Sequence, residues 1–148
     1  MADLRGVSIL VVDDAVDNRD MPGGKLLSSG ASATCVKGSR AAVSAALTGL
    51  YDVVVMDVAR DGLEATAALR AAGFMRPIIA CTANPKFTGR MLTKLGFDGL
   101  VRKPASPGTL ALCIARQLDK AWKRRQRAIS ANLKAKEMRA HHAHSSSR

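Results

Sequence analysis

The sequence predicts an α/β domain built on a doubly wound parallel sheet, followed by a basic helical extension. Three observations predict it: five short β-branched runs, Ala-rich helical stretches between them, and an excess of positive charge gathered at one end of the chain. Ser8-Ile9-Leu10-Val11-Val12, Asp52-Val53-Val54-Val55-Met56 and Pro77-Ile78-Ile79-Ala80-Cys81 are continuously apolar rather than alternating. That is the pattern of a strand buried on both faces of a parallel sheet. Ala31–Val36 and Gly99-Leu100-Val101 are weaker strand candidates.

Helices are expected over Asp17–Ser29, Ser39–Leu47, Gly62–Ala72, Pro85–Leu95 and Ser106–Lys120. Ser106 before Pro107 places an N-cap ahead of proline at the first helical position, and Gly30, Gly73 and Gly96 stand where left-handed C-caps end helical runs. Pro22-Gly23-Gly24 falls inside the first helix, which is therefore expected to be shortened, kinked or broken.

The chain has 148 residues, 47% hydrophobic but only 3% aromatic, so aliphatic side chains and alanine must fill its core. It carries 23 Lys and Arg against 12 Asp and Glu. Nine of those basic residues lie in Asp119–Arg148 beside only Asp119 and Glu137, leaving the body near +4 and the tail near +7. No run approaches the roughly 18 apolar residues of a membrane span, and the first apolar stretch, Val7–Val12, is cut off by acidic residues too soon for a secretory signal. Cys35, Cys81 and Cys113 are odd in number and widely spaced, which argues against a disulfide framework or zinc knuckle and fits a reducing cytoplasm.

Ligands of open α/β sheets bind beyond the carboxyl ends of the strands. Asp13 and Asp14 follow the first apolar run, Asp57 the run at Val53–Met56, Thr82 the run ending at Cys81, and Lys103-Pro104 the last. One sheet edge would then gather three carboxylates, a hydroxyl and an ammonium. Carboxylates so close cannot all stay ionised unless a cation intervenes. Hard oxygen donors suit Mg²⁺, a lysine and a threonine can bind phosphoryl oxygens, and an aspartate can itself be the nucleophile. The constellation suggests Mg²⁺-assisted phosphoryl transfer onto Asp57.

These pieces resemble the receiver domain of bacterial response regulators. The resemblance rests on Ile9-Leu10-Val11-Val12-Asp13-Asp14, Asp17-Asn18-Arg19, Val54-Val55-Met56-Asp57, Asp61-Gly62-Leu63-Glu64-Ala65-Thr66, Ile79-Ala80-Cys81-Thr82-Ala83 and Gly96-Phe97-Asp98-Gly99-Leu100-Val101-Arg102-Lys103-Pro104, in the family's order over roughly residues 5–119. It implies a flavodoxin-like strand order of 2-1-3-4-5. It also implies that Asp57 accepts a phosphoryl group from a sensor histidine kinase or a histidine phosphotransfer protein. Asp14 and Asp57 would ligate Mg²⁺ directly, Asp13 mainly through water, and Ala59 through its carbonyl. Thr82 and Lys103 would bind the phosphoryl oxygens. Such a protein is a signalling switch rather than an enzyme, with at most self-phosphorylation and self-dephosphorylation.

The sequence departs from the family in two visible places. The loop after Asp57 reaches Gly62 three residues early and lacks a Met-Pro pair, and the aromatic residue that normally precedes Lys-Pro is replaced by Leu100 or Val101. Bland readings stand beside the functional ones: Asp61 reads as a helix-starting acid, Cys81 and Met56 as core, and His141, His142 and His144 as part of a disordered terminus. Asn84 is placed at the rim of the site.

The division expected is a receiver at residues 1–119 and a basic tail at 120–148, helical at first and then disordered. Leu118, Trp122, Ile129 and Leu133 recur at near-helical spacing among Lys123, Arg124, Arg125 and Arg127. Such a helix could meet a partner helix or a polyanion, though about 30 residues are too few for an output domain with its own core. The chain is thus expected to act in the cytoplasm as a stand-alone receiver, through protein–protein contacts and without a membrane partner; a homodimer is left open. The competing readings are a degenerate receiver working as a phosphorylation-independent adaptor, and a polyanion or nucleic-acid binder driven by the tail.

Overall fold

In the computed structural model, which describes residues 2–13 and 29–146, the elements run β1 (Ser8–Val12), β2 (Ser32–Val36), α1 (Ser39–Ala46), β3 (Val53–Asp57), α2 (Arg60–Ala71), β4 (Ile78–Thr82), α3 (Gly89–Lys94), β5 (Gly99–Arg102) and α4 (Pro107–Ser146). The strands form one parallel sheet in the order β2-β1-β3-β4-β5, the doubly wound flavodoxin-like arrangement. The expected first helix at Asp17–Ser29, with its Pro22-Gly23-Gly24 break, falls almost wholly outside the described residues. The chain divides into two compact units, Met1–Leu118 and Asp119–Arg148.

Burial explains why three strands are so uniformly apolar. β1, β3 and β4 lie inside the sheet, and nearly all their residues are buried. Their side chains alternate between two cores. Leu10, Val54, Met56 and Ala80 face one side, where Ala42, Ala46, Ala65, Leu69 and Leu92 cover them. Ile9, Val11, Val55 and Ile79 face the other, beneath Leu110, Ala111 and Ile114 of α4. β2 and β5 are the edge strands, partly exposed, which is why their sequences are mixed.

The amino ends of the strands are held by side chains. Asp52 accepts a hydrogen bond from Ser8 N–H at 2.8 Å. Asp98 accepts from Ile78 N–H at 2.9 Å and from Arg70 at 2.7 Å. Arg70 also donates to the carbonyls of Gly96, Phe74 and Arg76, so a single guanidinium ties α2 to the start of β4 and the approach to β5.

Two helices differ from expectation. α3 begins at Gly89 rather than Pro85. The intervening residues are held in turns by their own side chains: Asn84 Oδ1 accepts from Lys86 N–H at 3.0 Å, and Thr88 Oγ1 accepts from Met91 N–H at 3.2 Å, which makes Thr88 the true N-cap. α4 starts as expected, with Ser106 Oγ accepting from Thr109 N–H at 3.1 Å, but it runs beyond Lys120 to Ser146. The stretch expected to be disordered is helical through most of its length. No described helix is long and apolar enough to cross a membrane.

Candidate functional site

Parallel register brings the carboxyl ends of β1, β3 and β4 side by side, with Val12 beside Met56 and Asp57 beside Cys81. The residues that continue or close these strands therefore share one rim. Asp13 follows β1 and is buried, Asp57 closes β3, and buried Thr82 closes β4. Lys103 follows β5, before a cis peptide bond to Pro104.

Lys103 connects the rim. Its Nζ lies 3.0 Å from Asp57 Oδ1 and 3.6 Å from Asp13 Oδ2. Burial alone would lower this lysine, but the hydrogen bond to Asp57 and the charges of Asp57 and Asp13 outweigh it, so the ammonium is held above its ordinary range. Its backbone N–H donates to Thr82 O at 2.9 Å, which fixes the end of β5 against the end of β4. Thr82 Oγ1 accepts from Asn84 N–H at 3.0 Å. Asp57 and Asp13 also line a small open cleft with Gly38, Ala59, Asp61 and Gly62.

Of the expected site residues, Asp13, Asp57 and Lys103 meet directly, and Thr82 stands one residue beyond the neighbour of Asp57. Asp14 lies outside the described residues. Ala59 also lines the cleft. Its carbonyl, the expected metal ligand, accepts hydrogen bonds from Gly62 N–H at 3.0 Å and Leu63 N–H at 3.2 Å. These contacts belong to the first turn of α2, for which Ala59 is the N-cap. The shortened loop causes this, because the helix starts so soon that the residue two places after Asp57 must begin its hydrogen-bond ladder. Asp61, expected only to start the helix, does so and also lines the cleft. Asn84 turns its side chain into its own loop, where Oδ1 accepts from Lys86.

Arg102 is a residue the sequence reading passed over. Its guanidinium donates to Asn84 O at 2.8 Å and to Phe87 O, gripping the loop after Thr82 from the end of β5. It stands inside the Gly96–Pro104 run that carries the resemblance, where no role is read for it.

Two carboxylates converging on one ammonium fit a hard divalent cation. Mg²⁺ is commonly held by one or two carboxylates with water completing its shell. Among the described residues no three His, Cys, Asp or Glu side chains form a metal cluster.

A parallel five-stranded sheet with acidic side chains and a lysine at its carboxyl edge defines a receiver-type signalling domain. The chain belongs to the response regulator receiver domain family, whose model matches residues 9–115. The chain is 36% identical over 116 residues to the sensor protein GacS of Pseudomonas syringae pv. syringae, covering 72% of this chain but only 13% of that protein. It is similar to the receiver domain of the sensor histidine kinase PA1611 of Pseudomonas aeruginosa PAO1, a structure with a magnesium ion coordinated in its active-site cleft. That likeness has 32% identity, covers 77% of this chain and 98% of the other, and has a TM-score of 0.67. The chemotaxis protein CheY4 of Vibrio cholerae is 26% identical, with coverage of 75% and 98% and a TM-score of 0.66.

Proposed function

We propose that the chain accepts a phosphoryl group on Asp57 from a phosphohistidine of a sensor kinase or phosphotransfer protein, and signals through the protein contacts this alters. The observation that carries the reading is the ammonium of Lys103, 3.0 Å from Asp57 Oδ1 and 3.6 Å from Asp13 Oδ2. An Asp57 carboxylate oxygen attacks phosphorus, the phosphorus–nitrogen bond breaks, and the imidazole leaves. Lys103 exchanges its contact with the Asp57 carboxylate for one with a phosphoryl oxygen. Thr82 can donate its hydroxyl hydrogen to another while its oxygen still accepts from Asn84. Asp13 and Asp57, with Asp14 from the sequence, are the side chains that would hold Mg²⁺. When bound, that ion would offset the charge of phosphoryl group and carboxylates together.

Acetyl phosphate with Mg²⁺, followed by intact-mass measurement, tests this reading. Wild type should gain one phosphoryl group and Asp57→Asn none. A protein that gains none, and whose spectrum beryllofluoride leaves unchanged, overturns it. A second reading, a phosphorylation-independent adaptor, draws on the Ala59 carbonyl, which already accepts from Gly62 and Leu63 N–H. It requires a partner whose affinity is equal for wild type and Asp57→Asn.

A further inference from the structure

The unit Asp119–Arg148 is helical to Ser146, and nearly every one of its residues 119–144 is exposed. Trp122, Gln126, Ile129, Leu133, Lys136 and Ala140 follow one another at alternating steps of four and three residues. That spacing keeps side chains along a single seam, the arrangement by which one helix receives another. The seam is open: Trp122 is 59%, Ile129 46% and Leu133 56% exposed. A helix ordinarily buries such a line of large apolar groups.

Charge decides what can cover it. The unit carries nine Lys and Arg against Asp119 and Glu137. Lys123 and Arg125 flank Trp122, Arg139 and the single acid Glu137 flank the far end, and Lys136 stands in the seam itself. Asp119 offsets Lys123 locally, at 3.0 Å on the exposed surface, a pair of small net value. A second copy in parallel would set Lys136 against Lys136 and join two strongly cationic helices. A lipid surface calls for a broad apolar face, whereas Gln126 and Lys136 interrupt this narrow one. Nucleic acid would bind the basic side chains and leave Trp122, Ile129 and Leu133 in water. Only an amphipathic helix with acidic flanks uses both features.

We propose that this helix is a docking surface for a partner helix of another protein, one whose apolar seam is bordered by Asp and Glu. Apolar side chains of the partner pack on Trp122, Ile129 and Leu133, and its carboxylates meet Lys123, Arg125, Lys136 and Arg139. The charges set partner choice and orientation.

The test uses the full chain and two synthetic heptad peptides with Leu along the seam, one flanked by Glu and one by Lys. The Glu-flanked peptide should bind at least about tenfold more tightly than the Lys-flanked one. Ile129→Gln with Leu133→Gln, both at exposed positions, should weaken it by about tenfold or more while circular dichroism stays unchanged. Lys136→Glu should narrow the preference between the two peptides. Equal binding of both peptides overturns the proposal, as does polyglutamate binding as tightly as the Glu-flanked peptide. A chain that sediments as a dimer and becomes monomeric in the double variant also overturns it, in favour of a second copy. So does tighter binding to anionic vesicles or duplex DNA than to the Glu-flanked peptide.

Discussion

A methyl group placed on Gly62 would lie 2.0 Å from the backbone oxygen of Asp57 and 3.2 Å from Met56 Cγ. The first turn of α2 thus rests directly on the backbone of Asp57. Gly62→Ala must push either the helix or the end of β3 aside, and neither is free to move. We expect a loss of about 1–3 kcal/mol in urea unfolding together with slower uptake of phosphoryl from acetyl phosphate. Gly108→Ala is the control, because nothing lies within 4 Å of the added methyl. In helix α4 it should stabilise the protein by about 0.4–1 kcal/mol.

Lys103→Met removes the positive charge between Asp13 and Asp57. The two carboxylates lose their ammonium, so Mg²⁺ should bind about tenfold more tightly by calorimetry while phosphoryl transfer to Asp57 slows. Because the folded lysine is held above its ordinary range, its contribution to stability is fully present at neutral pH. It is lost only as pH rises through that elevated value. Wild type and variant should therefore show parallel stability profiles from mildly acidic to mildly alkaline pH, and converge only in strong alkali.

Arg70 serves four acceptors, the carbonyls of Gly96, Phe74 and Arg76 and the carboxylate of Asp98. Arg70→Ala leaves the three part-buried carbonyls without this donor, while Asp98 keeps Ile78 N–H, at a cost of about 2–4 kcal/mol in denaturant unfolding. Arg70→Lys should recover little, since a single ammonium cannot reach acceptors in several directions at once. The contacts lie at the amino end of β4, away from Asp57, so phosphorylation per folded molecule should stay unchanged.

Burial pushes the Cys81 thiol up to about 12. Cys35, by contrast, is exposed. A thiol reagent at mildly alkaline pH should label Cys35 quickly and Cys81 only after unfolding. Above the ordinary thiol range the unfolded Cys81 ionises while the folded one stays protonated, so stability falls as pH rises through that interval.

The interior strands were legible because burial on both faces leaves an uninterrupted apolar run, as at Val53–Met56. Edge strands carry a fainter signal, and Ser32–Val36 shows why: one strand neighbour and partial exposure tolerate Ser, Thr and Cys. The rim positions of Asp13, Asp57, Thr82 and Lys103 could be read from their places after strands. Side-chain hydrogen bonds were not legible, and they moved the start of α3 from Pro85 to Gly89. The shortened loop was visible as a count of residues. That it would bring Ala59 into the helix ladder and Asp61 into the cleft depended on where the helix lands.

The sheet order has a consequence for how the chain reaches this state. β1 pairs with both β2 and β3, and every strand pair is parallel. No adjacent pair can close by a tight hairpin, so each pairing waits on a crossover connection and its loop-closure entropy. During that wait Leu10–Val12 and Val53–Met56 are bare hydrophobic segments in water. Assembly should be slower than that of a helical bundle of equal length, and most prone to intermolecular pairing before β3 docks beside β1.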